Sequence, residues 1–530
     1  MLMVIIMSEI NLTDEQKEII NCDKNTVVIA VPGSGKTTTL AYKINEILKT
    51  SFWYNGVIAI SYTNKASEEL KHRVQSLSKD ICNSFFGTIY KFYTNEIIIP
   101  FARYLFNYYG DVCVEQFKDK NKKFEDLKDD EKIKCLIDCY INGIIILEGI
   151  PFFAKYIFDN SESCKLYLKS RYKYIIIDEY QDCDEIQHQI FASIVNLGIK
   201  GVAVGDPDQS IFKYAGSSPK FLLELSNDKT FKSFGLTFNH RCHKSISNYA
   251  YKFLFSNKKY DVLTDKRVFK WIINGAEDIL SSKIDALIPK IIKKYDVENN
   301  SKIAILYRYK TVAELLINYL KTPFVYYCDT PLDKSSYPHD ILFSYLLSYV
   351  YGSDTIFPET IIDYLDFKIN NKKNAIMNKI INYRKHYLSN GIVLFDEMIC
   401  LIKSIYGEDI DLCNINEVIS NELYLRTYMP MDSNKIRVMS IHKSKGLEFD
   451  AVIILDLHKY IIPSWDFDNN IYKDLEEDKC IHYVSITRAK KLVIFAVNTK
   501  RHNSKGNLKD GIESEFISNS DRPDLISYRN

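Results

Sequence analysis

One glycine-rich segment constrains the fold of this chain more than any other feature. The residues AVPGSGKT occupy positions 30–37, at the end of the β-branched run TVVIA at 26–30 and before a stretch with helical spacing. A phosphate-binding loop requires this context of strand, loop and helix. Gly33 and Gly35 let backbone N–H groups close around phosphate oxygens, and the N-terminus of the following helix adds a partial positive charge. The segment therefore predicts an α/β domain that binds a nucleoside triphosphate.

Within this loop we expect a division of roles. Lys36 is placed to reach the β- and γ-phosphates, and the hydroxyl of Thr37 is placed to bind Mg²⁺. Ala30 stands where the general pattern GxxxxGK[ST] has its first glycine. The residues that we predict to surround the nucleotide are Ala30, Val31, Pro32, Gly33, Ser34, Gly35, Lys36, Thr37 and Thr38.

Short apolar runs recur along the chain between stretches with helical spacing. Such runs are typical of parallel strands that are buried on both faces. They fall into two sets, before and after about residue 235, so we expect two α/β cores. The runs are 26–30, 57–61, 174–178, 201–205, 303–307 and 451–455.

Two longer segments lack this strand pattern. Residues 117–134 are dense in charges of both signs, and residues 346–429 are rich in Ile, Leu and Tyr with helical spacing. Both are interpreted as helical insertions into the α/β cores. After Val497 the chain turns polar, and there we expect a mobile tail.

Acidic residues follow two of the apolar runs. IIIDEYQD at 175–182 places Asp178 and Glu179 at the carboxyl edge of a parallel sheet, where open α/β folds bind ligands. There Asp178 suits the Mg²⁺ shell and Glu179 suits activation of the attacking water. GVAVGDPDQS at 201–210 brings Gln209 to the same edge, where it could sense the γ-phosphate. Alone, these segments would be a solvated loop and a polar turn, and the P-loop upstream favours the functional interpretation.

Composition excludes several classes of protein. With 530 residues, 46% of them hydrophobic and 26% charged, the chain can bury several cores and is too apolar to be disordered. Lysine and arginine number 69 against 68 acidic residues, so nucleic acid would have to bind in a local groove. The twelve cysteines show no zinc-site spacing, and the N-terminal MLMVIIM is too short for a signal peptide or a membrane span. We therefore expect a soluble, intracellular protein with reduced thiols and no membrane partner.

The P-loop, DEYQD and GDPDQS belong to a longer series of motifs. In chain order the others are LTDEQ at 12–16, SYTNKASEEL at 61–70, GTIY at 87–90, NHR at 239–241, AILYR at 304–308, SIHKSKGLEFD at 440–450 and YVSITRA at 483–489. This series, in this order, resembles the UvrD/Rep family of superfamily 1 helicases over residues 11–495. The resemblance is weakest in the two insertions.

The resemblance implies an α/β fold with two RecA-like P-loop domains, each with a parallel sheet and a helical insertion, and with ATP in the cleft between them. The implied boundaries are 1–95 and 160–235 for domain 1, 96–159 for its insertion, 236–345 and 430–500 for domain 2, 346–429 for its insertion, and 501–530 for the polar tail.

The resemblance also implies roles for residues outside the P-loop. Arg241 and Arg488 would be arginine fingers that the second domain supplies to the γ-phosphoryl group, so that hydrolysis depends on cleft closure. Gln16 would bind the adenine edge and Glu448 the ribose. His240 stands where the family usually has a tyrosine that stacks on adenine.

Single-stranded DNA would cross the top of both domains, with bases stacked on aromatic side chains. The residues that match the family's DNA contacts are Tyr62, Thr63, Asn64, Tyr90, Phe212, Tyr214, Arg308 and His442. For Phe212 and Tyr214 the alternative is ordinary core packing. Three departures stand out: Tyr214 and Ala215 replace a usual Trp-Arg, Tyr90 replaces a usual His, and Thr38 replaces an arginine that often covers the adenine.

We therefore expect an ATP-dependent helicase or translocase that moves 3′→5′ on single-stranded DNA and on tailed duplex DNA, in repair, replication or recombination. The direction of movement comes from the resemblance alone. One alternative is a translocase that displaces proteins and unwinds little; another is a weakly active ATP-binding regulatory protein. RNA stays open as the track, because stacking surfaces do not read the 2′-OH. Loading or repair proteins are the partners that such a motor would have.

Overall fold

The computed structural model describes residues 12–78, 80–117, 122–213, 216–255, 263–335, 337–352, 356–365, 372–430, 432–503, 505–518 and 525–529. The chain divides into two compact units. Unit 1 comprises Met1–Tyr108 and Ile150–Arg241, and unit 2 comprises Tyr109–Gly149 and Cys242–Asn530.

Strands are numbered in chain order. They are β1 Thr26–Ala30, β2 Gly56–Ile60, β3 Phe85–Gly87, β4 Cys113–Glu115, β5 Ile144–Ile146, β6 Tyr172–Ile177, β7 Lys200–Gly205, β8 Lys232–Leu236, β9 Val268–Ile273, β10 Ile303–Tyr307, β11 Phe324–Tyr327, β12 Ile436–Ser440, β13 Phe449–Ile454, β14 Trp465–Asp466, β15 Ile471–Tyr472, β16 Ala489–Asn498, β17 Lys500–His502, β18 Leu508–Asp510 and β19 Leu525–Arg529.

Helices are numbered in the same way, and a π-helical segment, Tyr93–Ile98, joins α4 to α5. They are α1 Asp14–Asn21, α2 Lys36–Lys49, α3 Asn64–Leu77, α4 Ile89–Phe92, α5 Ile99–Phe106, α6 Asp129–Tyr140, α7 Ile150–Asn160, α8 Glu162–Arg171, α9 Glu185–Asn196, α10 Lys220–Asn227, α11 Lys244–Leu254, α12 Glu277–Tyr295, α13 Lys310–Tyr319, α14 Pro331–Lys334, α15 Pro338–Tyr351, α16 Pro358–Leu365, α17 Lys373–Asn390, α18 Phe395–Tyr406, α19 Cys413–Ser420, α20 Glu422–Arg426, α21 Leu475–Thr487 and α22 Glu515–Ser518.

Unit 1 is built on a sheet of six parallel strands in the order β3-β2-β6-β7-β1-β8. Its strands are apolar on both faces because helices cover both, and Val57, Ile176 and Val202 are fully buried. Helix α2 packs Leu40 and Ile44 into the same core. Since every strand runs in the same direction, the loops after β1, β6 and β7 meet at the carboxyl edge of this sheet.

Unit 2 contains a second parallel sheet, in the order β11-β12-β10-β13-β16-β9-β19. Its core joins the central strands, through Ile305 and Ile453, to helix α12, through Ile284 and Ile288. All six apolar runs predicted from the sequence are strands of the two parallel sheets. The predicted α/β fold with two parallel-sheet cores is confirmed.

Helices α14 to α20 form a helical region in unit 2 with its own core. Leu346, Ile380, Met398 and Ile402 are fully buried there and pack against one another across α15, α17 and α18. This region includes most of the segment 346–429 in which we predicted helices. Among its described residues the chain is helix or connecting turn.

The first predicted insertion needs a correction. Residues 96–159 are not wholly helical, because β4 and β5 lie within them, and Tyr109–Gly149 groups with unit 2. Within it β4 and β5 pair in parallel, with Val114 opposite Ile145. The reason is local: the Ile-rich run at 144–146 favours a strand, since β-branched side chains suit a pleated surface.

The boundary predicted at residue 236 is also corrected. Strand β8 extends to Leu236 and pairs along its length with β1, and unit 1 continues to Arg241. The pairing of β8 holds Leu236 in unit 1, the bond from the His240 N–H to the Gly33 carbonyl holds the segment after it, and the NHR motif belongs to the same unit as the P-loop.

The predicted mobile tail at 501–530 contains ordered structure. Strand β19 pairs in parallel with β9 at the edge of the sheet of unit 2, with Leu525 opposite Val268. Phe516 and Ile517 are buried. The prediction rested on the polar run at 498–511, whereas β19 has the sequence LISYR and its Ile526 packs against the core of the second sheet. None of the helices in the described part of the chain combines the length and the apolar character that crossing a bilayer requires.

Candidate nucleotide site and nucleic-acid interface

The P-loop lies between β1 and α2. Gly35 caps α2 with a φ of 81°, and Gly33 has a φ of 70°. Both angles lie in the left-handed region, which side chains with a Cβ rarely adopt. A Cβ on Gly33 would also lie only 2.4 Å from the Cβ of Arg241. Position 33 therefore requires glycine both for its backbone angle and for space.

The chain that follows β8 closes over this loop. Val31 donates its backbone N–H to the carbonyl of Leu236 at 3.0 Å, and His240 donates its own to the carbonyl of Gly33 at 2.9 Å. Arg241 is thus beside the P-loop within unit 1, not on a separate domain as the resemblance implied. Its role as an arginine finger stays a prediction.

Gln16 joins helix α1 to the P-loop. Its backbone N–H bonds to Thr13 Oγ1 at 3.3 Å, and its side-chain Oε1 accepts from the N–H of Thr13 at 3.0 Å, which completes a capping box. Its Nε2 donates to the carbonyl of Ser34 at 3.2 Å. The structure therefore shows Gln16 bound to the loop, and its contact with adenine stays a prediction.

Carboxylates from two loops converge on Lys36. Its Nζ lies 3.4 Å from Glu179 Oε1, and both side chains are largely shielded from solvent. Burial by itself lowers the pKa of the Lys36 ammonium, but the carboxylates outweigh burial and raise it above its usual value. The carboxylates that do so are Glu179, Asp178 and Asp206.

The same crowding acts on the carboxyl groups. Burial and the neighbouring charge of Glu179 raise the pKa of Asp178 to about 7, although Lys36 opposes this. Burial raises the pKa of Asp206 to about 6, against the effects of Lys36 and of a 2.7 Å hydrogen bond from Gln209 Nε2. Each carboxyl would ionise more readily with a cation beside it.

Asp178 and Thr37 are the residues that would hold Mg²⁺. Mg²⁺ takes hard oxygen ligands and uses only one or two protein carboxylates together with substrate phosphates and water. A buried carboxylate at a strand end, with an unfavourable charge environment that a cation would relieve, fits that requirement. Thr37 is the second residue of α2 and directly follows Lys36.

Gln181 links the two acidic strand ends, a role that our reading of the sequence missed. Its Nε2 donates to Glu179 Oε2, and its Oε1 accepts from the backbone N–H of Asp206 at 3.0 Å. The side chain occupies space beside Gly205, where a Cβ would meet its Oε1. Glu179 itself has a φ of 56°, so its backbone is held in the left-handed region. Gln181 and this backbone turn together orient the Glu179 carboxylate.

Two further residues at this end of unit 1 were not predicted. Phe238 is exposed, and its ring lies edge-on to His240 with 4.5 Å between centroids. Its aromatic ring lies next to His240, the residue that stands beside the P-loop in place of the family's usual tyrosine. Arg73 Nη1 donates to Thr38 Oγ1 at 3.3 Å, so an arginine from α3 reaches the position where the family usually has one. Phe238 directly precedes NHR in the chain, and this position could have identified it from the sequence. Nothing in the sequence connected Arg73 with Thr38.

Arg488 and Glu448 both lie in unit 2. Arg488 is only 2% exposed, and its guanidinium donates to the carbonyls of Val484 and Leu447, each at 3.3 Å. Glu448 forms an ion pair with Lys490 at 2.8 Å. Arg488 is therefore not an ordinary surface residue, and it lies next to the motif that carries Glu448. Their contacts with nucleotide stay predictions.

Two of the predicted DNA-binding aromatics meet on the surface of unit 1. Tyr62 is 47% exposed, and its ring stacks on Phe212 with 5.3 Å between centroids. Phe212 is half-buried, so it is not an ordinary core residue. Tyr214 lies outside the described residues.

The remaining candidates of unit 1 are near helix starts. Thr63 caps α3 by accepting the N–H of Ala66 at 3.1 Å, and Asn64 is its exposed first residue. Tyr90 is exposed on α4. The first turn of a helix presents N–H groups that suit a phosphate.

In unit 2, Arg308 and His442 are neighbours. Arg308 Nη1 lies 3.2 Å from His442 Nε2, and its Nη2 lies 3.8 Å from the buried carboxylate of Asp478. Asp478 also accepts from the N–H and hydroxyl of Ser464 at 2.7 and 2.6 Å. Asp478 was not predicted from the sequence. It lies a few residues before YVSITRA in the chain, and only the fold brings it close to Arg308.

Comparison with known proteins finds sequences that are similar to this chain. The model of the UvrD/REP helicase N-terminal domain matches residues 12–142 and 115–230, and that of the UvrD-like helicase C-terminal domain matches residues 384–500. Gabija protein GajB of Bacillus cereus is 28% identical over 500 residues, which cover 92% of this chain and 96% of GajB.

Two proteins named as helicases are similar over comparable lengths. ATP-dependent DNA helicase Rep of Buchnera aphidicola is 23% identical over 612 residues, covering 88% of this chain and 90% of Rep. ATP-dependent DNA helicase PcrA of Staphylococcus epidermidis is 22% identical over 642 residues, covering 96% and 86%. The P-loop and the acidic strand ends lie within the match to the N-terminal domain, the motifs at 440–450 and 483–489 lie within the match to the C-terminal domain, and the chain belongs to the UvrD/Rep family of helicases.

Proposed function

We propose that this protein is an ATP-driven motor that moves 3′→5′ along single-stranded DNA and separates tailed duplexes. The observation that carries the ATP-hydrolysing part is the buried cluster in which Lys36 lies 3.4 Å from Glu179 beside two carboxyl groups of raised pKa. A structural ion pair would need neither a phosphate-binding loop nor the strained backbone of Glu179.

In this mechanism ATP places its phosphates in the P-loop, and Lys36 leaves Glu179 to neutralise them. Glu179, oriented by Gln181, then accepts a proton from the water that attacks the γ-phosphorus. Mg²⁺ held by Thr37 and Asp178 would neutralise charge on the phosphate oxygens. Gln209 donates a hydrogen bond to Asp206 in the loop that follows β7. Its side chain would sense whether the γ-phosphate is present.

The arginines would complete the site. Arg241 is already beside the P-loop, whereas Arg488 belongs to the other unit. If Arg488 stabilises the charge that develops on the γ-phosphoryl group, hydrolysis requires the two units to come together, which couples the chemistry to motion.

The proposed track follows the stacked pair Tyr62 and Phe212 in unit 1 and the Arg308–His442 pair in unit 2. Aromatic rings stack on any base, so such a track is tolerant of sequence. Thr63 and Asn64 would contact phosphates at the start of α3, and Tyr90 would contribute from α4. The direction of movement rests on family membership.

Composition and thiols support an intracellular setting. The described residues include all twelve cysteines, and none of them forms a disulfide. We propose that the motor acts in DNA repair, replication or recombination, with loading or repair proteins as partners. Proteins named Rep and PcrA are similar to it over most of their lengths.

One experiment tests the proposal in two stages. ATP hydrolysis by the full chain is measured alone, with (dT)30 and with (U)30, and we expect strong stimulation by (dT)30. The chain is then given duplexes with a 3′ tail, a 5′ tail or blunt ends, and we expect unwinding only with the 3′ tail. Stimulation without unwinding, but with displacement of streptavidin from a biotinylated strand, would identify the translocase alternative. ATP binding without hydrolysis under every condition would identify a regulatory protein.

A further inference from the structure

Three consecutive aromatic side chains are exposed at the edge of unit 1 opposite the nucleotide site. Phe52, Trp53 and Tyr54 are 63%, 78% and 47% exposed. They form the loop between α2 and β2, and therefore lie at the amino end of β2. Large aromatic side chains rarely cluster on a surface that has no partner.

This loop is held in one conformation. The rings of Phe52 and Tyr54 stack with 5.5 Å between centroids and 5° between planes, and Trp53 meets Tyr54 edge-on at 5.7 Å. Asn55 closes the turn by donating its N–H to the carbonyl of Phe52 at 2.9 Å, and its side chain donates to the carbonyl of Ser170 at 2.9 Å. Because Trp53 is 78% exposed, most of its ring remains available to a ligand.

Lysines stand beside these rings. The Lys173 ammonium lies 5.6 Å from the ring centroid of Phe52 and donates to the carbonyl of Thr50 at 3.2 Å. The Lys200 ammonium lies 5.5 Å from the ring of Tyr174. Within the described ranges neither ammonium takes part in an ion pair, so both charges are available to an anion.

The position of these lysines suits an extended polyanion. They lie near the amino ends of β6 and β7, neighbouring strands spaced about 4.8 Å apart, and Lys200 is the register partner of Tyr174, the residue that follows Lys173. The edge is not uniformly basic, because Asp23 lies near Tyr174 and Asp80 lies near Cys82. Lys173 therefore supplies positive charge directly beside the aromatic loop, and Lys200 adds a second charge on the next strand of the same edge.

The strip is separate from the nucleotide site. The P-loop and Asp178 lie at the carboxyl edge of the same sheet, and a six-residue strand such as β6 spans about 20 Å. Tyr62 and the start of α3 also follow the carboxyl end of β2. No step of the proposed mechanism uses the amino edge.

We propose that Phe52, Trp53, Tyr54, Lys173 and Lys200 form a second binding surface for single-stranded nucleic acid, which we name the amino-edge surface. Bases stack on Trp53 and phosphates pair with the two lysines. An open ring face next to ammonium groups on one strip favours nucleic acid over an acidic protein, for which the flat face would not be needed. The surface would hold a strand outside the motor track.

The first test uses Trp53 as its own reporter. The chain has three tryptophans, and Trp271 is buried while Trp465 lies in unit 2. Wild-type protein and the Trp53→Phe variant are titrated with (dT)20, and the difference between their emission spectra isolates Trp53. We expect quenching of this difference signal with saturation. An unchanged difference signal, while (dT)20 binds elsewhere, overturns the proposal.

The second test removes the motor track. In a Tyr62→Ala/Phe212→Ala background, (dT)20 should still bind, and adding Trp53→Ala should weaken that binding by about fivefold or more. Lys173→Gln with Lys200→Gln should flatten the slope of log affinity against log salt by about 0.7 for each lysine. The matched control is Tyr104→Ala, which removes an exposed aromatic from α5 in the same unit.

The experiments distinguish failure of this proposal from failure of the proposed function, on which the existence of a separate motor track rests. In the otherwise wild-type chain, Trp53→Ala should leave ATP hydrolysis stimulated by (dT)30 unchanged, and loss of stimulation in this variant would place Trp53 on the motor track and overturn the proposal. A wild-type chain that (dT)30 does not stimulate would count against the proposed function and not against this surface. If the background double variant retains no binding of (dT)20, the proposal is wrong. Quenching of Trp53 by poly-glutamate but not by (dT)20 would show that the surface binds acidic protein instead.

Discussion

The ammonium of Lys36 lies 3.4 Å from the carboxylate of Glu179, and the two residues come from loops 143 positions apart in the chain. In the nucleotide-free protein each neutralises the other. Arrival of phosphates gives Lys36 a stronger partner and leaves Glu179 to act as a base. This exchange connects nucleotide binding with readiness for hydrolysis.

Lys36→Ala should abolish ATP hydrolysis. The P-loop ammonium neutralises charge on the transferring phosphoryl group, and alanine has no charge to do so. Phosphate release by the variant is compared with that by Lys49→Ala, which removes an exposed lysine from the far end of α2. Turnover close to wild type in Lys36→Ala would show that the site is assigned to the wrong loop.

Glu179→Gln should bind ATP and Mg²⁺ but hydrolyse ATP poorly. Glutamine keeps the shape of the side chain and one oxygen that can accept from Gln181, while it loses the charge that faces Lys36 and the basicity that accepts the water proton. Equilibrium binding of a fluorescent ATP analogue and single-turnover hydrolysis separate the two effects. If the variant instead loses nucleotide binding, and hydrolysis falls only as much as binding does, the roles of Asp178 and Glu179 are the reverse of those assigned here.

Arg488→Ala should leave ATP affinity within a few-fold and lower kcat by about 10³. Single-stranded DNA should then fail to accelerate hydrolysis. Because Arg488 is buried and bonded to two carbonyls, its loss could also disturb unit 2, so thermal melting and the Arg488→Lys variant serve as controls. A folded Arg488→Lys protein with full stimulation by DNA would contradict a finger that needs a guanidinium.

Tyr62→Ala should weaken binding of single-stranded DNA by about 1–3 kcal/mol, largely irrespective of sequence. Its ring stacks on Phe212, and the pair offers a surface on which a base can continue the stack. Fluorescence anisotropy with oligo(dT) and with mixed-sequence strands measures the change. Tyr62→Phe should bind normally, since it keeps the ring; a loss in Tyr62→Phe equal to that in Tyr62→Ala would point to the hydroxyl instead of stacking.

Unit 2 should lose stability as the pH falls from about 6.5 to about 4. Burial lowers the pKa of His458 to about 4, although a 3.0 Å hydrogen bond between its Nε2 and the carbonyl of Asn498 partly opposes this. The unfolded chain binds a proton below pH 6.5 while the folded chain does not, so the folded state loses up to about 3 kcal/mol across this window. Urea unfolding of wild type and His458→Gln at several pH values measures the difference, and a difference independent of pH would refute the assignment.

Local patterns were sufficient for the strands and the motif residues. A parallel strand covered by helices must be apolar on both faces, so runs such as 303–307 are visible without any knowledge of their neighbours. Gly33, Lys36 and Thr37 are adjacent in the chain, and their chemistry follows from the turn between β1 and α2. For the same reason Asp178 could be placed at the carboxyl edge from the end of its own strand.

Contacts between distant segments were beyond such patterns. Arg241 is beside Gly33 because β8 pairs with β1, and β19 forms an edge of the second sheet although the tail before it is polar. Lys173 and Phe52 are 121 positions apart and meet only where β6 joins β2. Periodicity and motif spacing report the environment of each segment, whereas the pairing of segments depends on packing free energy summed over the whole chain, and only the folded structure contains that sum.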